Sequence, residues 1–141
     1  MGYQRDFRDS LAGSAPAAAA ATQAHDDHLE QCLEQLISDR ERRSAHFAAS
    51  LFSDPAWDIL LALALAEARQ QRLTVTGLCA LVDAPSTTAL RWIAALTRAG
   101  LLTRRDDATD KRRKFIELSP AGSASMSGYC KARHAATTRA P

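Results

Sequence analysis

The sequence has little of what secreted proteins, membrane proteins and metal-binding proteins usually show. Its three cysteines (Cys32, Cys79 and Cys130) are an odd, widely spaced set without a Cys-x-x-Cys pair, so they predict reduced thiols and neither a disulfide framework nor a zinc site. The richest apolar stretch, residues 59–66, is much shorter than the ~20 residues that cross a bilayer, and no secretory signal pattern is present. We therefore expect a cytoplasmic protein without membrane contact.

Signals for catalysis and for cofactor binding are equally sparse. The four histidines do not combine with a nucleophile and an acid, and there is no glycine-rich phosphate loop. His25 and His28 have a spacing that a metal could use, but no third ligand accompanies them. Cys79 is expected to be a small core residue, and Cys32 and Cys130 have no identifiable base beside them that would make either a redox sensor. The sequence predicts no enzyme, no cofactor and no metal site.

The net charge of +2 hides an uneven distribution along the chain. Residues 86–114 contain eight basic and three acidic residues, whereas the rest of the chain contains 10 basic and 13 acidic residues. Such an asymmetry concentrates positive potential on one part of the molecule, where a polyanion would be held.

The N-terminal part of the chain divides into a tail and a helical segment. Residues 1–24 are alanine-rich and are predicted to be a disordered tail. In the segment 25–52, apolar residues from Leu29 to Ile37 recur every three or four positions and predict a helix from Asp26 to about Phe47. This narrow apolar stripe needs a cover, either the following domain or a second copy of the chain.

Residues 53–119 show the order helix, helix, turn, helix, β-hairpin. Asp54 can cap a helix that has Pro55 at its first position, and Thr76 is predicted to cap the next helix after a short extended segment at residues 73–75. A third helix runs from about Ser86 to Ala99 and ends at Gly100, with Ala89, Leu96 and either Trp92 or Ile93 facing inward.

The remaining elements are a hairpin and a final helix. Strand-like runs at residues 101–105 and 114–118 flank a charged loop and predict the hairpin. Ser119 and Pro120 begin a C-terminal helix over residues 120–134, and residues 135–141 are predicted to be a disordered tail. The expected buried side of this helix consists of Met126, Tyr129 and Cys130.

A helix-turn-helix can place its second helix in the major groove of DNA, whose width of ~12 Å admits one helix. The short hydroxyl side chains at the start of that helix could bond phosphate or bases, and Arg91 has the planar fork that matches guanine. The basic hairpin loop could lie along the minor groove. Thr87 and Thr88 could instead merely cap the helix, and the loop charges could merely be solvated. The candidate DNA-binding residues are Ser86, Thr87, Thr88, Arg91, Arg98, Lys111, Arg112 and Arg113.

Several short runs carry a family resemblance. They are Leu-Thr-Arg-Ala-Gly-Leu-Leu at residues 96–102, Arg-Arg at 104–105, Asp-x-x-Asp-Lys-Arg at 107–112 and Leu-Ser-Pro-Ala-Gly at 118–122. Together they resemble the winged helix-turn-helix domain of MarR-type transcriptional regulators. The resemblance implies a mainly α fold with a small β-hairpin wing and flanking N- and C-terminal helices.

The same resemblance implies a homodimer on a pseudo-palindromic operator, with the terminal helices at the dimer interface. This favours a second copy of the chain as the cover for the N-terminal apolar stripe. The resemblance also implies that Arg112 enters the minor groove and that Asp110 positions the wing, with Arg91 as the candidate partner of Asp110. Such a pairing would favour a positioning role for Arg91 over the reading of guanine.

The leading hypothesis is a sequence-specific, homodimeric DNA-binding transcriptional regulator, with repression as the favoured direction and double-stranded DNA as the partner. A small-molecule effector is a further candidate partner. The alternative is a winged-helix protein-interaction module that does not bind DNA, because the outward side of the candidate reading helix carries only two arginines, Arg91 and Arg98.

Overall fold

The computed structural model describes residues 20–48 and 51–139, with side chains from residue 27 onward. Within these residues it contains five helices and one three-stranded antiparallel sheet, so the predicted mainly α fold with a β-hairpin is confirmed. In chain order the elements are α1 (Ala20–His46), α2 (Pro55–Ala68), β1 (Leu73–Thr74), α3 (Val75–Leu81), α4 (Ser86–Arg98), β2 (Leu102–Asp106), β3 (Lys114–Leu118) and α5 (Pro120–Thr138).

Helix α1 begins at Ala20, inside the stretch 1–24 that was predicted to be a disordered tail. Alanine has the highest helix propensity, so an alanine-rich run joined to a stable helix extends it. The rest of that predicted tail, residues 1–19, lies outside the described residues.

The apolar stripe of α1 packs against its own domain. Leu33 and Ile37 are buried in the hydrophobic core, and Leu29, Cys32 and Leu36 are partly buried against it. Of the two covers considered for the stripe, the intramolecular one is therefore the one observed for these residues.

Ion pairs add to this packing. Arg40 Nε lies 2.5 Å from Asp58 Oδ1, and Arg69 Nε lies 2.6 Å from Glu30 Oε1. On the other side of α1, an Arg133 guanidinium nitrogen lies 3.6 Å from Asp39 Oδ2. Helix α1 is thus held against α2 and α5 by both apolar and charged contacts.

The start of α2 follows the sequence prediction. The backbone N–H of Trp57 donates to Asp54 Oδ1 at 3.3 Å, and Pro55 occupies the first turn. The helix then passes through the middle of the domain, where its side chains are covered on almost every side. Its buried residues are Ile59, Leu61, Ala62, Leu63, Ala64, Leu65 and Ala66.

The cap of α3 differs from the prediction. Thr74, and not Thr76, accepts a hydrogen bond from the backbone N–H of Gly77 at 3.0 Å, because the helix begins at Val75. The preceding residues Leu73 and Thr74 pair with β3 and so add a third strand to the predicted hairpin. The strand order is β1-β3-β2.

The base of the hairpin is locked to the start of α5. The hydroxyl of Ser119 donates to Gly100 O at 2.6 Å and accepts from the backbone N–H of Gly122 at 3.1 Å. A Cβ at position 122 would lie only 2.2 Å from Leu101 O, so only glycine fits there. Gly100, two residues after the end of α4, has a positive φ of 79°, as expected for the glycine that terminates a helix. These contacts set the direction in which the hairpin leaves the domain.

Helix α5 continues to Thr138, past the predicted end at residue 134, because Ala135 and Ala136 are good helix formers. Residues 140 and 141 of the predicted C-terminal tail lie outside the described residues. Met126 and Cys130 are buried as expected, whereas Tyr129 is 48% exposed. The Tyr129 ring packs edge-on against Trp57, with ring centroids 5.0 Å apart.

Candidate nucleic-acid interface

Helix α4 begins without a side-chain cap. Pro85 is the N-cap residue, and the bond from the N–H of Ala89 to Pro85 O, at 3.0 Å, opens the helix. The amides of Ser86, Thr87 and Thr88 precede that bond and have no acceptor within the helix. Free amides at the positive end of a helix dipole are suited to an anion such as a phosphate group. The alternative that Thr87 or Thr88 caps the helix is not supported by any side-chain bond at this end.

One face of α4 is buried and the opposite face is open. Ala89, Ile93 and Leu96 are its buried residues, so Ile93, and not Trp92, completes the inward stripe. The opposite face presents Thr87, Arg91 and Arg98, which are all exposed, while Thr88 is half-buried towards one edge.

Arg91 does not make the ion pair with Asp110 that the resemblance implied. Within residues 27–48 and 51–139, neither Arg91 nor Arg98 forms a salt bridge. The Oδ1 atom of Asp110 instead accepts a hydrogen bond from the backbone N–H of Arg112 at 3.0 Å. The guanidinium group of Arg91 is therefore not held by the wing acid.

The tip of the wing (the wing being the β2–β3 hairpin, and its tip residues 107–113) is braced by its own acids. Asp107 Oδ1 accepts from both the backbone N–H and the hydroxyl of Thr109, each at 2.9 Å. These two bonds, with a smaller contribution from the nearby Arg113, hold the pKa of Asp107 below its usual value. The backbone N–H of Arg113 donates to Asp110 O at 3.0 Å. The two carboxylates thus organise the loop backbone.

The cations of the wing fall into two groups. Arg113 lies 3.8 Å from Asp107 Oδ2, Lys114 pairs with Asp106, and Arg105 pairs with Glu117. The second group is exposed and has no salt bridge within the part of the chain that the structure describes: it consists of Arg104, Lys111 and Arg112.

Arg104 was not singled out from the sequence as a binding candidate. From the sequence alone, the run Arg104-Arg105 does not show which of the two arginines will pair with an acid. In the structure, Arg104 lies opposite the buried Ile116 on β3, and its own side chain is exposed. The pairing follows from the diagonal neighbour of Arg105, Glu117, on β3.

Other ligand sites are poorly supported. Among the described residues, no group of three or more His, Cys, Asp or Glu side chains could hold a metal ion, and no described helix combines the length and apolarity of a membrane span. The side chain of His25 lies outside the described ones, and the ring of His28 neighbours that of His134 at 6.1 Å. A groove of about 440 Å³ lies between α2 and the sheet, beside Glu67, Phe115 and Ser123.

Comparison with known proteins identifies the domain. Residues 57–122 match the family model of the winged helix DNA-binding domain. A S. aureus MepR–DNA complex is 22% identical, with a TM-score of 0.52 over 76% of this chain and 86% of that chain. A mutant MepR from a multidrug resistant S. aureus clinical isolate is 22% identical, with a TM-score of 0.54 over 76% of each chain.

A probable transcriptional regulator from Pseudomonas aeruginosa is 25% identical, with a TM-score of 0.48 over 70% of this chain and 75% of that chain. Among curated proteins, no sequence matches the chain significantly. Residues 57–122 are thus similar in sequence to a winged helix DNA-binding domain, and the two MepR structures confirm the predicted winged helix-turn-helix fold.

Proposed function

We propose that this chain is a cytoplasmic transcriptional regulator that binds duplex DNA as a homodimer through α4 and the wing. One observation carries the proposal: Arg91, Arg98, Lys111 and Arg112 are exposed and form no salt bridge with any described residue. Unpaired cations on a winged helix domain can neutralise DNA phosphates. This releases the counterions condensed on the DNA and so favours binding.

Each element has a distinct role in this arrangement. Helix α4 lies in the major groove, where the free amides and hydroxyls of Ser86, Thr87 and Thr88 bind phosphate at its N-terminus. Arg91 reads guanine, a role made accessible because Asp110 is engaged with the backbone of Arg112.

The wing and the end of α4 supply further contacts. Arg112 enters the minor groove, where the negative potential is strongest. Lys111 and Arg98 contact the phosphate backbone, and Arg113 contributes less because Asp107 holds it. Asp110 positions the wing by fixing the turn that carries Arg112.

The homodimer is supported by an apolar surface that the described residues leave exposed. Phe47, Leu51 and Phe52, between α1 and α2, are exposed large hydrophobic residues. The rings of Phe47 and Phe52 pack edge-on at 5.6 Å, which makes one contiguous surface for a second copy. A dimer bound to two half-sites blocks the access of other proteins to the same DNA, which favours repression.

Leu51→Asp should shift the sedimentation coefficient to that of a monomer if this surface is the interface.

The DNA-binding proposal can be tested with two charge-matched double variants. Arg91→Ala with Arg112→Ala should weaken binding to a duplex that the unmodified chain selects from a random pool by at least about tenfold and lower the salt dependence by about 0.9 in log–log slope for each lost phosphate-type contact. Arg42→Ala with Lys131→Ala removes the same charge from exposed positions on α1 and α5 and should change binding much less. The measurement is fluorescence anisotropy at several salt concentrations.

A second candidate function is a protein-interaction module that keeps the winged helix scaffold. It is favoured by two exposed apolar residues on α4, Leu90 and Trp92. If the unmodified chain fails to bind duplex DNA even at low salt, this second function replaces the first. If both double variants bind DNA equally well, Arg91 and Arg112 do not belong to the DNA-binding surface.

A further inference from the structure

We infer that Leu90 contacts the methyl group of a thymine in the major groove and thereby specifies one T·A base pair in each half-site. This inference rests on the proposed function, because it requires α4 to lie in that groove. Leu90 is 43% exposed, whereas the other leucine of the helix, Leu96, is buried in the core. Within the described part of the chain, Leu90 is neither a member of the hydrophobic core nor one of the apolar residues packed against it.

The position of Leu90 places it on the open side of α4. It lies one helical turn after Thr87 and directly before Arg91, both of which are exposed. Residues three positions apart lie on neighbouring parts of a helix face. A helix docked by Thr87 and Arg91 would therefore also bring Leu90 against base edges.

The chemistry of the groove selects the partner of this leucine. Among the four bases, only thymine presents a methyl group in the major groove, beside its O4 acceptor. An aliphatic side chain pressed on donors and acceptors would leave them without water or a partner, which is unfavourable. Contact with the thymine methyl removes apolar surface of both groups from water.

Trp92 offers a matched comparison on the same helix. It is 41% exposed, nearly the same fraction as Leu90. Two residues along a helix correspond to a rotation of about 200°, so Trp92 points to the opposite flank of α4. Its removal should not affect a contact that belongs to Leu90.

The experiment begins with duplexes selected from a random pool by the unmodified chain. Each thymine of the selected site is then replaced by deoxyuridine, which removes only the C5-methyl group. The unmodified chain should bind about fourfold more weakly per half-site when the critical thymine is replaced, the size expected for the loss of one buried methyl group. Leu90→Ala should bind thymine and uracil duplexes equally at that position, and Trp92→Ala should keep the preference for thymine.

The outcomes separate the inference from the function on which it rests. If the unmodified chain selects a site but binds every deoxyuridine duplex as tightly as the thymine duplex, the leucine contact is absent. The contact is equally excluded if Leu90→Ala retains the full thymine preference with an unchanged circular dichroism spectrum. Failure to select any duplex would instead overturn the proposed function itself.

Discussion

The helical region formed by α1, α2 and α5 and the region formed by α4 and the wing use their charged residues in opposite ways. In the first region, cations meet acids across helices, as in Arg40 with Asp58 and Arg133 with Asp39. In the second, Asp107 and Asp110 bond to backbone amides, and Arg112 is left without a salt bridge among the described residues. Charge serves contacts between helices in the first region, whereas part of it stays exposed in the second.

This difference teaches that a local charge count is an incomplete guide to a binding surface. The excess of basic residues over residues 86–114 is real, but Arg105, Arg113 and Lys114 within it are paired with acids. What remains available to a polyanion is a smaller set of cations, and its members follow from the fold.

The largest effect is expected at Gly122, where the two regions join. Gly122→Ala places a Cβ 2.2 Å from the backbone oxygen of Leu101, and should lower the free energy of unfolding by about 2–3 kcal/mol, because backbone must move. Gly128→Ala, in the same helix with nothing within 4 Å, should instead raise it by up to about 1 kcal/mol. Urea denaturation of both variants measures the difference, and equal midpoints would contradict the close contact.

A smaller difference should separate the ion pairs of the two regions. The side chain of Arg69 is 8% exposed and contacts Glu30 and Glu34, so Arg69→Met should cost about 1–2 kcal/mol of stability, after allowance for the partly exposed glutamates. Arg105→Met, which removes the exposed pair with Glu117, should cost less than about 0.5 kcal/mol. Thermal unfolding compares the two, and a larger loss for Arg105→Met would reverse the comparison.

Within the wing, adjacent arginines should differ in DNA binding. Arg112→Ala removes an exposed cation without a salt bridge in the described part of the chain and should reduce the salt slope by about 0.9. Arg113→Ala removes a cation 3.8 Å from Asp107 and should reduce the slope by less. Equal effects in anisotropy titrations would mean that the carboxylate of Asp107 does not restrain Arg113 in the complex.

A further expected effect concerns alkaline pH and the contact between α1 and α5. Burial, followed by a hydrogen bond with Cys32, raises the pKa of Cys130 from 9.0 to about 12. Cys130 therefore stays protonated in the folded chain when it ionises in the unfolded chain, so its contribution to stability is complete below pH 9 and is lost as the pH rises towards 12.

By pH 10 this loss should amount to about 1 kcal/mol. Cys130→Ala should be less stable than the unmodified chain at pH 7, because it loses buried volume, and its stability should then fall less between pH 8 and 10. Urea denaturation at these pH values measures both slopes. Parallel pH profiles for the two proteins would show that Cys130 does not titrate differently on folding.

Several parts of the fold were predictable because their causes act within one helical turn. The cap at Asp54, the termination at Gly100 and the start of the last helix at Ser119 are observed where the sequence indicated them. Thr74 was missed as a cap because Thr76, two residues later, is an equally good local candidate. The choice between them depends on how far β1 extends along β3.

The sequence by itself determined the order of the elements, their caps and the region in which positive charge is concentrated, since these depend on neighbours along the chain. Only the tertiary structure decided that the α1 stripe is buried against its own domain, that Arg91 has no bond to Asp110, and that Leu90 is left outside the core. These outcomes depend on distances between residues far apart in sequence. Burial and pairing are properties of packed elements, and no local pattern specifies which of two adjacent arginines will find an acid.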